Sequence, residues 1–373
     1  MPAVSVMIKP ASGMCNMECE YCFYCDETKN RPCGNYGFMS EQTLKNVIRK
    51  TMLSAEGSIS YIFQGGEPTL CGLEFFEKAL EYQKQYNWKE IRVFNSLQTN
   101  GYAIDERWCD FFRKNGFLIG VSVDGTRETH DAFRHSKSGG PTFERVRHTV
   151  ELLERYGVEY NILTVVNKQV AANVDKIYAF YRECGWRYQQ YIACLEPFGA
   201  VRGGSAYAVT PEEYGKFLSR LFELWYADYR KGKQPYIRRF ENYIRILLGY
   251  LPEACDQRGK CSIQNLVEAD GNVYPCDFYA LDEYCLGNFN TQRMEEINQK
   301  REETGFIARS EKLSPACSAC DYYSLCRGGC QRNRDWQETG WYENYFCSGY
   351  RLFFETCYSK MQQVADEVQK RGH

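Results

Sequence analysis

Short apolar runs alternate with amphipathic stretches through the first half of the chain. The apolar runs are rich in Val, Ile, Tyr and Phe and have the lengths of strands. They predict strands at Val4–Lys9, Ile59–Gln64, Ile91–Gln98, Phe117–Val123, Tyr160–Val166 and Tyr188–Ala193. The amphipathic stretches predict helices at Ser40–Ser54, Leu73–Gln85, Asp105–Lys114, Thr142–Tyr156, Val170–Cys184 and Thr210–Tyr229. Because strands and helices alternate, this order predicts an α/β fold with a parallel sheet.

Several predicted helices carry start signals. Ser40 precedes Glu41, Asp105 precedes Glu106, and Thr210 precedes a proline at the first helical position. Six strand-then-helix units are fewer than the eight of a closed barrel, so we predict a partial (β/α)6 barrel. Active sites in such folds lie at the carboxyl ends of the strands.

The composition changes in the second part of the chain. Lys231–Pro235 has the character of a linker, and from about Cys255 onward the chain is rich in Cys, Gly and polar residues with few long periodic runs. Such a segment depends on metal ligation to fold. We therefore predict two domains, a partial barrel at residues 1–235 and a small cysteine-rich domain at residues 236–373.

Charge and hydropathy exclude several classes of partner. The 373 residues include 46 Lys+Arg and 48 Asp+Glu, for a net charge of −2. This balance gives no electrostatic footprint for nucleic acid or an anionic membrane. No apolar run reaches the roughly 18 residues that span a bilayer, and the first residues lack the pattern of a signal peptide. We expect a soluble, cytoplasmic protein.

The cysteines are numerous and clustered. There are 19 of them, grouped at positions 15–33 and 255–347 with scattered singles between. A disulfide framework is typical of short secreted chains, and this chain has neither property. Metal ligation is therefore the better account of both groups.

The first group follows the first predicted strand directly. Cys15, Cys19 and Cys22 are closely spaced, with no fourth cysteine at a matching position. A [4Fe–4S] cluster normally takes four thiolates, so three leave one iron with an open position. An open position marks a catalytic metal. The alternatives are a zinc site or ordinary core thiols.

This spacing resembles the radical S-adenosylmethionine superfamily, whose signature is C-x3-C-x2-C after the first strand. The resemblance implies that S-adenosylmethionine chelates the open iron. Gln64-Gly65-Gly66-Glu67-Pro68 matches the superfamily's GGE motif, which receives the methionine amino group. The residues that the resemblance assigns to the cofactor are Tyr21, Gly65, Gly66, Glu67, Ser122, Arg134 and Leu195.

The second cysteine group resembles the SPASM extension of peptide-modifying radical enzymes. Cys317-x2-Cys320 alone would suit a zinc ribbon, but the whole spacing favours two further [4Fe–4S] clusters, each with four thiolates. The resemblance implies one cluster on Cys255, Cys261, Cys276 and Cys330. It implies the other on Cys317, Cys320, Cys326 and Cys347. The chain would then hold three [4Fe–4S] clusters and S-adenosylmethionine.

A closer resemblance, over essentially the whole chain, is to anaerobic sulfatase-maturating enzymes. It is carried by IKPASGMCNMECEYCFY from Ile8, FQGGEPTL from Phe63, NSLQTNG from Asn95, VSVDG from Val121 and VYPCDFY from Val273. In that family the aspartate after the cluster cysteine, here Asp277, is the catalytic base. The implied reaction oxidises a Cys or Ser side chain of a sulfatase to Cα-formylglycine.

The resemblance also implies which group carries out each step of the reaction. A 5′-deoxyadenosyl radical takes hydrogen from the substrate Cβ, Asp277 removes the heteroatom proton, and the remaining electron leaves through the auxiliary clusters. The implied partners are an unfolded or nascent sulfatase with a Cys/Ser-x-Pro-x-Arg motif and a flavodoxin- or ferredoxin-type reductant. The residues that we expect to contact the peptide are Tyr24, Gln64, Asn95 and Gln98.

Two other functions fit parts of the pattern. One is a SPASM maturase that forms thioether crosslinks in a small peptide. The other is a non-catalytic electron carrier, although a carrier needs neither an open-site cluster nor a Gly-Gly-Glu turn. The sequence does not distinguish a Cys substrate from a Ser substrate.

Overall fold

A computed structural model describes residues 3–338 and 340–371 in two compact units. The first unit comprises Met1–Ser122, Arg134–Tyr160 and Ile263–Phe306, and the second comprises Val123–Phe133, Asn161–Ser262 and Ile307–His373. The predicted division into domains at residue 235 stays a prediction.

The strands are short, and most of them belong to the main sheet. They are β1 (Val4–Ile8), β2 (Met17–Cys19), β3 (Ser58–Phe63), β4 (Arg92–Thr99), β5 (Leu118–Ser122), β6 (Arg134–Ser136), β7 (Tyr160–Val166), β8 (Tyr188–Ala193), β9 (Tyr236–Ile237), β10 (Asn265–Val267), β11 (Asn272–Tyr274), β12 (Gly287–Asn288), β13 (Arg334–Trp336) and β14 (Tyr342–Asn344).

The helices range from a single turn to a long C-terminal helix. They are α1 (Phe23–Lys29), α2 (Glu41–Ser54), α3 (Gly72–Tyr86), α4 (Glu106–Asn115), α5 (Arg127–His130), α6 (Phe143–Arg155), α7 (Lys168–Ala172), α8 (Val174–Glu183), α9 (Pro211–Tyr229), α10 (Arg238–Leu247), α11 (Met294–Thr304), α12 (Phe306–Ser310), α13 (Pro315–Ser318), α14 (Tyr323–Cys326) and α15 (Cys347–Arg371).

In the first unit the strand order is β12-β11-β10-β1-β3-β4-β5. The neighbours from β10 to β5 pair in parallel, whereas β11 and β12 are antiparallel additions. In the second unit β7, β8 and β9 also pair in parallel. All six predicted strands form, and the fold is α/β with a mostly parallel sheet that makes a partial barrel, as predicted.

Local signals explain where the helices begin. The Ser40 and Asp105 side chains accept hydrogen bonds from the backbone N–H groups of Thr43 and Trp108, so α2 and α4 start as expected. Thr210 and Glu213 form a capping box at the start of α9. These side chains satisfy N–H groups that have no partner within the helix.

Two expectations about the helices were wrong. The predicted helix Val170–Cys184 is divided into α7 and α8, because the chain leaves helical geometry at Asn173 (φ −120°, ψ 26°). The cysteine-rich part of the chain also contains a long regular element, the 25-residue helix α15. In the second unit α15 approaches α9 closely, since a Cβ atom on Gly349 would lie 2.1 Å from the Pro211 carbonyl oxygen. This contact fixes the first turn of α15, which carries Cys347.

Candidate active site

Cys15, Cys19 and Cys22 lie on one loop of the first unit, between β1 and α1. Within this loop β2 pairs with β6, which places Cys19 opposite Arg134. The Cys22 N–H donates to the Cys19 carbonyl (3.1 Å), and α1 begins with the next residue. A single short loop therefore presents all three thiols.

Cys22 and Cys15 differ in how readily they become thiolates. A hydrogen bond with the Cys25 thiol lowers the pKa of Cys22 to about 6 against the opposing effect of burial, and Arg134 adds to the lowering. Burial, with Glu67, raises the pKa of Cys15 to about 11. A bound iron would reverse this, because a metal cation deprotonates a coordinating thiol. In the described ranges no group of three or more His, Cys, Asp or Glu side chains has the geometry of a metal-ion site.

Two residues predicted to bind the cofactor lie against this loop. The Arg134 Nη1 atom is 3.8 Å from the Cys19 sulfur, and its guanidinium carbon is 5.3 Å from the centre of the Tyr21 ring. Tyr21 and Arg134 are both buried. The structure thus brings a fixed cation and an aromatic face to the first cysteine loop.

The Gly65-Gly66-Glu67 turn packs directly on the residues that precede Cys15. The Gly66 N–H donates to the Ser12 carbonyl (2.9 Å) and the Glu67 N–H to the Met14 carbonyl (2.7 Å). A Cβ atom on Gly66 would lie 1.9 Å from the Met14 oxygen, so no side chain fits at this position. The glycine is required by the close approach of two backbone segments.

The buried Glu67 carboxylate accepts most of its hydrogen bonds from other residues of the chain. Its Oε1 atom accepts from the Thr69 N–H (3.0 Å), the Thr69 hydroxyl (2.7 Å) and the Thr99 hydroxyl (2.8 Å). Its Oε2 atom accepts from the Asn100 N–H (2.8 Å) and has a lone pair to spare. Glu67 therefore anchors the turn, and its predicted contact with the methionine amino group is confined to Oε2.

Asn100 is a residue that the sequence reasoning missed, although it belongs to the NSLQTNG motif. Its side-chain Nδ2 donates to the Asn16 Oδ1 (2.7 Å) and lies 3.4 Å from the Cys15 sulfur. Its backbone holds Glu67. Asn100 thus links the turn to the first cysteine loop.

The other residues that were predicted to contact the cofactor or the peptide lie at separate places in the structure. Gln98 donates to the Ser122 hydroxyl (3.1 Å) at the adjacent ends of β4 and β5. Asn95 forms a reciprocal amide pair with Gln83 on α3 (2.8 and 2.9 Å), which occupies both of its amide atoms and gives no support to a substrate contact. Leu195 is buried after β8, in the second unit.

Asp277 lies beside two of the residues that were predicted to contact the substrate peptide. It begins a 3-10 turn, and its Oδ2 atom accepts from the Gln64 Nε2 (3.1 Å), which also lies 2.9 Å from the Tyr24 hydroxyl. The Cys276 sulfur is 3.4 Å from Asp277 Oδ1. Burial raises the pKa of Asp277 above its usual value. The three side chains form one polar group inside the first unit.

A buried ionic network lies beside this group, and nothing in the sequence pattern indicated it. The Lys9 ammonium is 2.9 Å from Glu268, 3.8 Å from Glu27 and 4.0 Å from the centre of the Tyr24 ring. The Arg31 guanidinium is 2.8 Å from Glu268. Lys9 and Glu268 meet because they follow the parallel strands β1 and β10, whose carboxyl ends coincide.

The two carboxyl groups of the network differ in charge. Burial would raise the pKa of Glu268, but Lys9 and Arg31 lower it to about 2. Burial raises the pKa of Glu27 to about 8, although Lys9 opposes this. Glu268 is thus the ionised partner of both cations, whereas Glu27 holds its proton near neutral pH.

In the second unit, Cys317, Cys320, Cys326 and Cys347 come together. The Cys320 N–H donates to the Cys317 carbonyl (3.2 Å), so these two share a turn. Burial, together with the other three thiols, raises the pKa of Cys326 to about 12. This is the behaviour of a compact group of thiols that repel one another as thiolates until a cation binds.

Cys255, Cys261 and Cys330 form a second group in the same unit. Burial raises the pKa of Cys330, and Cys255 and Cys261 add to the effect. Cys276 belongs to the first unit, so its predicted place with these three stays a prediction. The assignment of all eight auxiliary cysteines to two cluster sets stays a prediction.

Comparison with known proteins defines the class. Residues 10–181 match the radical SAM superfamily and residues 255–321 match an iron–sulfur cluster-binding domain, SPASM. The chain is a radical S-adenosylmethionine protein with a SPASM domain, and its cofactors are [4Fe–4S] clusters and S-adenosylmethionine. No helix in the described ranges is both long and apolar enough to cross a bilayer.

Its relatives define the family. The chain is 42% identical to the cysteine-type anaerobic sulfatase-maturating enzyme of Clostridium perfringens, over 99% of this chain and 100% of that protein. It is 32% identical to the serine-type enzyme of Bacteroides thetaiotaomicron, over 94% and 88%. The solved structure of native anSMEcpe with bound AdoMet and Cp18Cys peptide matches with a TM-score of 0.93 and 41% identity, over 98% and 100%. The chain belongs to the family of anaerobic sulfatase-maturating enzymes.

Proposed function

We propose that this protein oxidises a cysteine side chain of a sulfatase polypeptide to Cα-formylglycine without oxygen. The observation that carries the proposal is the buried group of Asp277, Gln64 and Tyr24 beside Cys276. The cysteine-type relatives, at 42% and 41% identity, favour cysteine over serine as the substrate. A thioether-forming maturase and an electron carrier remain less well supported, because the family resemblance extends over the whole chain.

Asp277 is the proposed catalytic base. Removing the thiol proton makes the substrate carbon a stronger reductant once its hydrogen has been taken. Burial raises the pKa of Asp277 and makes its carboxylate a stronger base than an exposed aspartate. Gln64 orients the carboxylate by donating to Oδ2, which leaves Oδ1 on the side of Cys276.

Gln64 and Tyr24 are proposed to position the substrate side chain. The Gln64 Nε2 has three acceptors within reach, Met7 Sδ at 2.6 Å, Tyr24 OH at 2.9 Å and Asp277 Oδ2 at 3.1 Å, but only two hydrogens. Gln64 can therefore donate to only two of these three acceptors at a time, and a substrate thiol would donate to the third.

The proposed cofactor residues follow from the cysteine groups. Cys15, Cys19 and Cys22 would hold the first cluster, beside Arg134 and Tyr21. When bound there, S-adenosylmethionine supplies the 5′-deoxyadenosyl radical that takes the substrate hydrogen. The eight auxiliary cysteines would hold two further clusters that accept the remaining electron, for a total of three.

The cellular setting belongs to the same proposal. The substrate would be an unfolded or nascent sulfatase with a Cys-x-Pro-x-Arg motif, which is accessible in the cytoplasm before folding. A flavodoxin- or ferredoxin-type protein would supply the electron. The domain division at residue 235 would separate the radical-generating barrel from the auxiliary clusters.

The test is an anaerobic assay of the reconstituted enzyme with two short sulfatase peptides that differ only in Cys or Ser at the target position. We expect formylglycine from the Cys peptide by mass spectrometry, in amounts that match the 5′-deoxyadenosine released. Faster turnover of the Ser peptide would contradict the substrate assignment. Release of 5′-deoxyadenosine without formylglycine from either peptide would contradict the function.

A further inference from the structure

Arg334 places a buried positive charge in the second unit. It is the first residue of β13, and its side chain is only 7% exposed. Its Nε, Nη1 and Nη2 atoms donate to the carbonyls of Gly328 (3.0 Å), Ser310 (2.5 Å) and Gly329 (2.7 Å). All three acceptors are neutral, so the hydrogen bonds do not compensate the charge.

Four cysteines lie close enough to this guanidinium to act on its pKa. They are Cys330, Cys261, Cys317 and Cys326. Two of them belong to the proposed Cys255 set and two to the proposed Cys317 set. Burial lowers the pKa of Arg334, and these thiols raise it as anions. Because a buried charge is costly unless it is paired, the cluster-bound thiolates of both sets would be its counter-ions.

The same side chain braces the loops that carry these cysteines. Gly328 and Gly329 lie between Cys326 of one set and Cys330 of the other. The Ser310 hydroxyl accepts from the Cys261 N–H (2.9 Å), while the Ser310 carbonyl accepts from Arg334. The planar guanidinium fork therefore contacts loops from both sets at once.

We propose that Arg334 raises the reduction potentials of both auxiliary clusters. This inference rests on the proposed function, which places [4Fe–4S] clusters at the two sets. Reduction adds a negative charge to a cluster, and a fixed buried cation stabilises that charge. Arg334 thereby makes both clusters better acceptors of the electron that the substrate gives up. It acts through the clusters and is a positioning and tuning residue, with no contact to substrate.

The test compares Arg334→Gln with Arg334→Lys in the full-length, cluster-reconstituted chain. Both are made in a Cys15→Ala, Cys19→Ala, Cys22→Ala background, so that only the auxiliary clusters give a signal. Redox titration followed by electron paramagnetic resonance then measures their midpoint potentials, independently of turnover. We expect both midpoints to become more negative with Gln and to stay near wild type with Lys, which keeps the charge.

Arg202→Gln is the matched control, because Arg202 pairs with the neighbouring Asp335 (2.8 Å) and should leave both potentials unchanged. Unchanged midpoints in the Gln variant, a shift at one set alone, or an equal shift in the Lys variant would overturn the proposal. If the Gln variant fails to load auxiliary clusters while Lys loads them, the need for the charge is supported. If neither variant loads auxiliary clusters, then loading depends on the geometry of the guanidinium fork and not on its charge. That outcome would refute the tuning role. Absence of auxiliary iron–sulfur signals in the parent background would instead contradict the proposed function.

Discussion

The chemistry of this protein concentrates on a few buried polar residues. Burial raises the pKa of Asp277, and Gln64 donates one hydrogen bond to its carboxylate. Lys9 is close enough to oppose the effect of burial, and it is held by Glu268. A carboxyl group in such surroundings exchanges a proton more readily near neutral pH than an exposed aspartate does.

Asp277→Asn should separate the two halves of the reaction. The amide keeps the shape but cannot accept the proton, so formylglycine formation should fall by about 10²–10⁴-fold, the usual contribution of a general base. Release of 5′-deoxyadenosine should persist, because the first cysteine loop is unchanged. Mass spectrometry and chromatography of the same reaction measure both products. Asp270→Asn, in the turn between β10 and β11, is the control, and full product yield from the Asp277 variant would refute the assignment.

At the scale of elements, α1 ties the first cysteine loop to the turn that carries Asp277. The helix begins directly after Cys22. Its Phe23 ring meets Phe278 edge-to-face at 4.8 Å, and Glu27 Oε1 accepts from the Ala280 N–H (3.3 Å). Arg31, just beyond the helix, donates to the Ala280 carbonyl (3.3 Å). Glu27 and Arg31 thus hydrogen-bond to both backbone groups of Ala280.

Replacing Glu27 should loosen that turn. Glu27→Leu leaves the buried Ala280 N–H without an acceptor, at a cost of about 1–3 kcal/mol in the free energy of unfolding. We expect less formylglycine per 5′-deoxyadenosine and faster hydrogen exchange in peptides that contain Ala280. Glu27→Gln keeps the acceptor, and its neutral side chain resembles the protonated carboxyl expected near neutral pH. Equal effects of Leu and Gln would show that the hydrogen bond to Ala280 is not what matters.

At the scale of the whole molecule, the segments that carry the auxiliary cysteines differ from the packed cores in what stabilises them. The first unit buries a sheet and an aromatic core that includes Phe63, Phe76 and Phe117. The auxiliary cysteines of the second unit lie mostly on turns and short helices, such as α13 and α14. Such segments bury little apolar surface, so bound metal contributes a large part of their stability.

Removal of iron should therefore destabilise the second unit first. After anaerobic chelation, limited proteolysis should cut preferentially at residues 255–262 and 307–347, while peptides from β1 to β5 stay protected. The apparent melting temperature should fall and recover when the clusters are rebuilt. Uniform cleavage along the chain, or an unchanged cleavage pattern, would contradict this distribution of stability.

The sequence determined the local features of this protein. Alternation and helical periodicity are properties of neighbouring residues, so all six strands and the caps at Ser40, Asp105 and Thr210 were predictable. The spacing of Cys15, Cys19 and Cys22 indicated the first cluster site, whereas the resemblance to the SPASM extension implied the two auxiliary sets, and both assignments stay predictions. The break at Asn173 was missed because both flanking segments keep helical periodicity.

Tertiary structure alone decided what surrounds those residues. The short strand β10 lacks a distinctive pattern, yet its pairing with β1 brings Glu268 to Lys9 across more than half of the chain. The hydrogen bonds from Arg334 to the Gly328, Gly329 and Ser310 carbonyls have the same origin. A charged residue in a sequence is by default a solvated one, and only packing shows which charges are buried and therefore must be compensated by a partner.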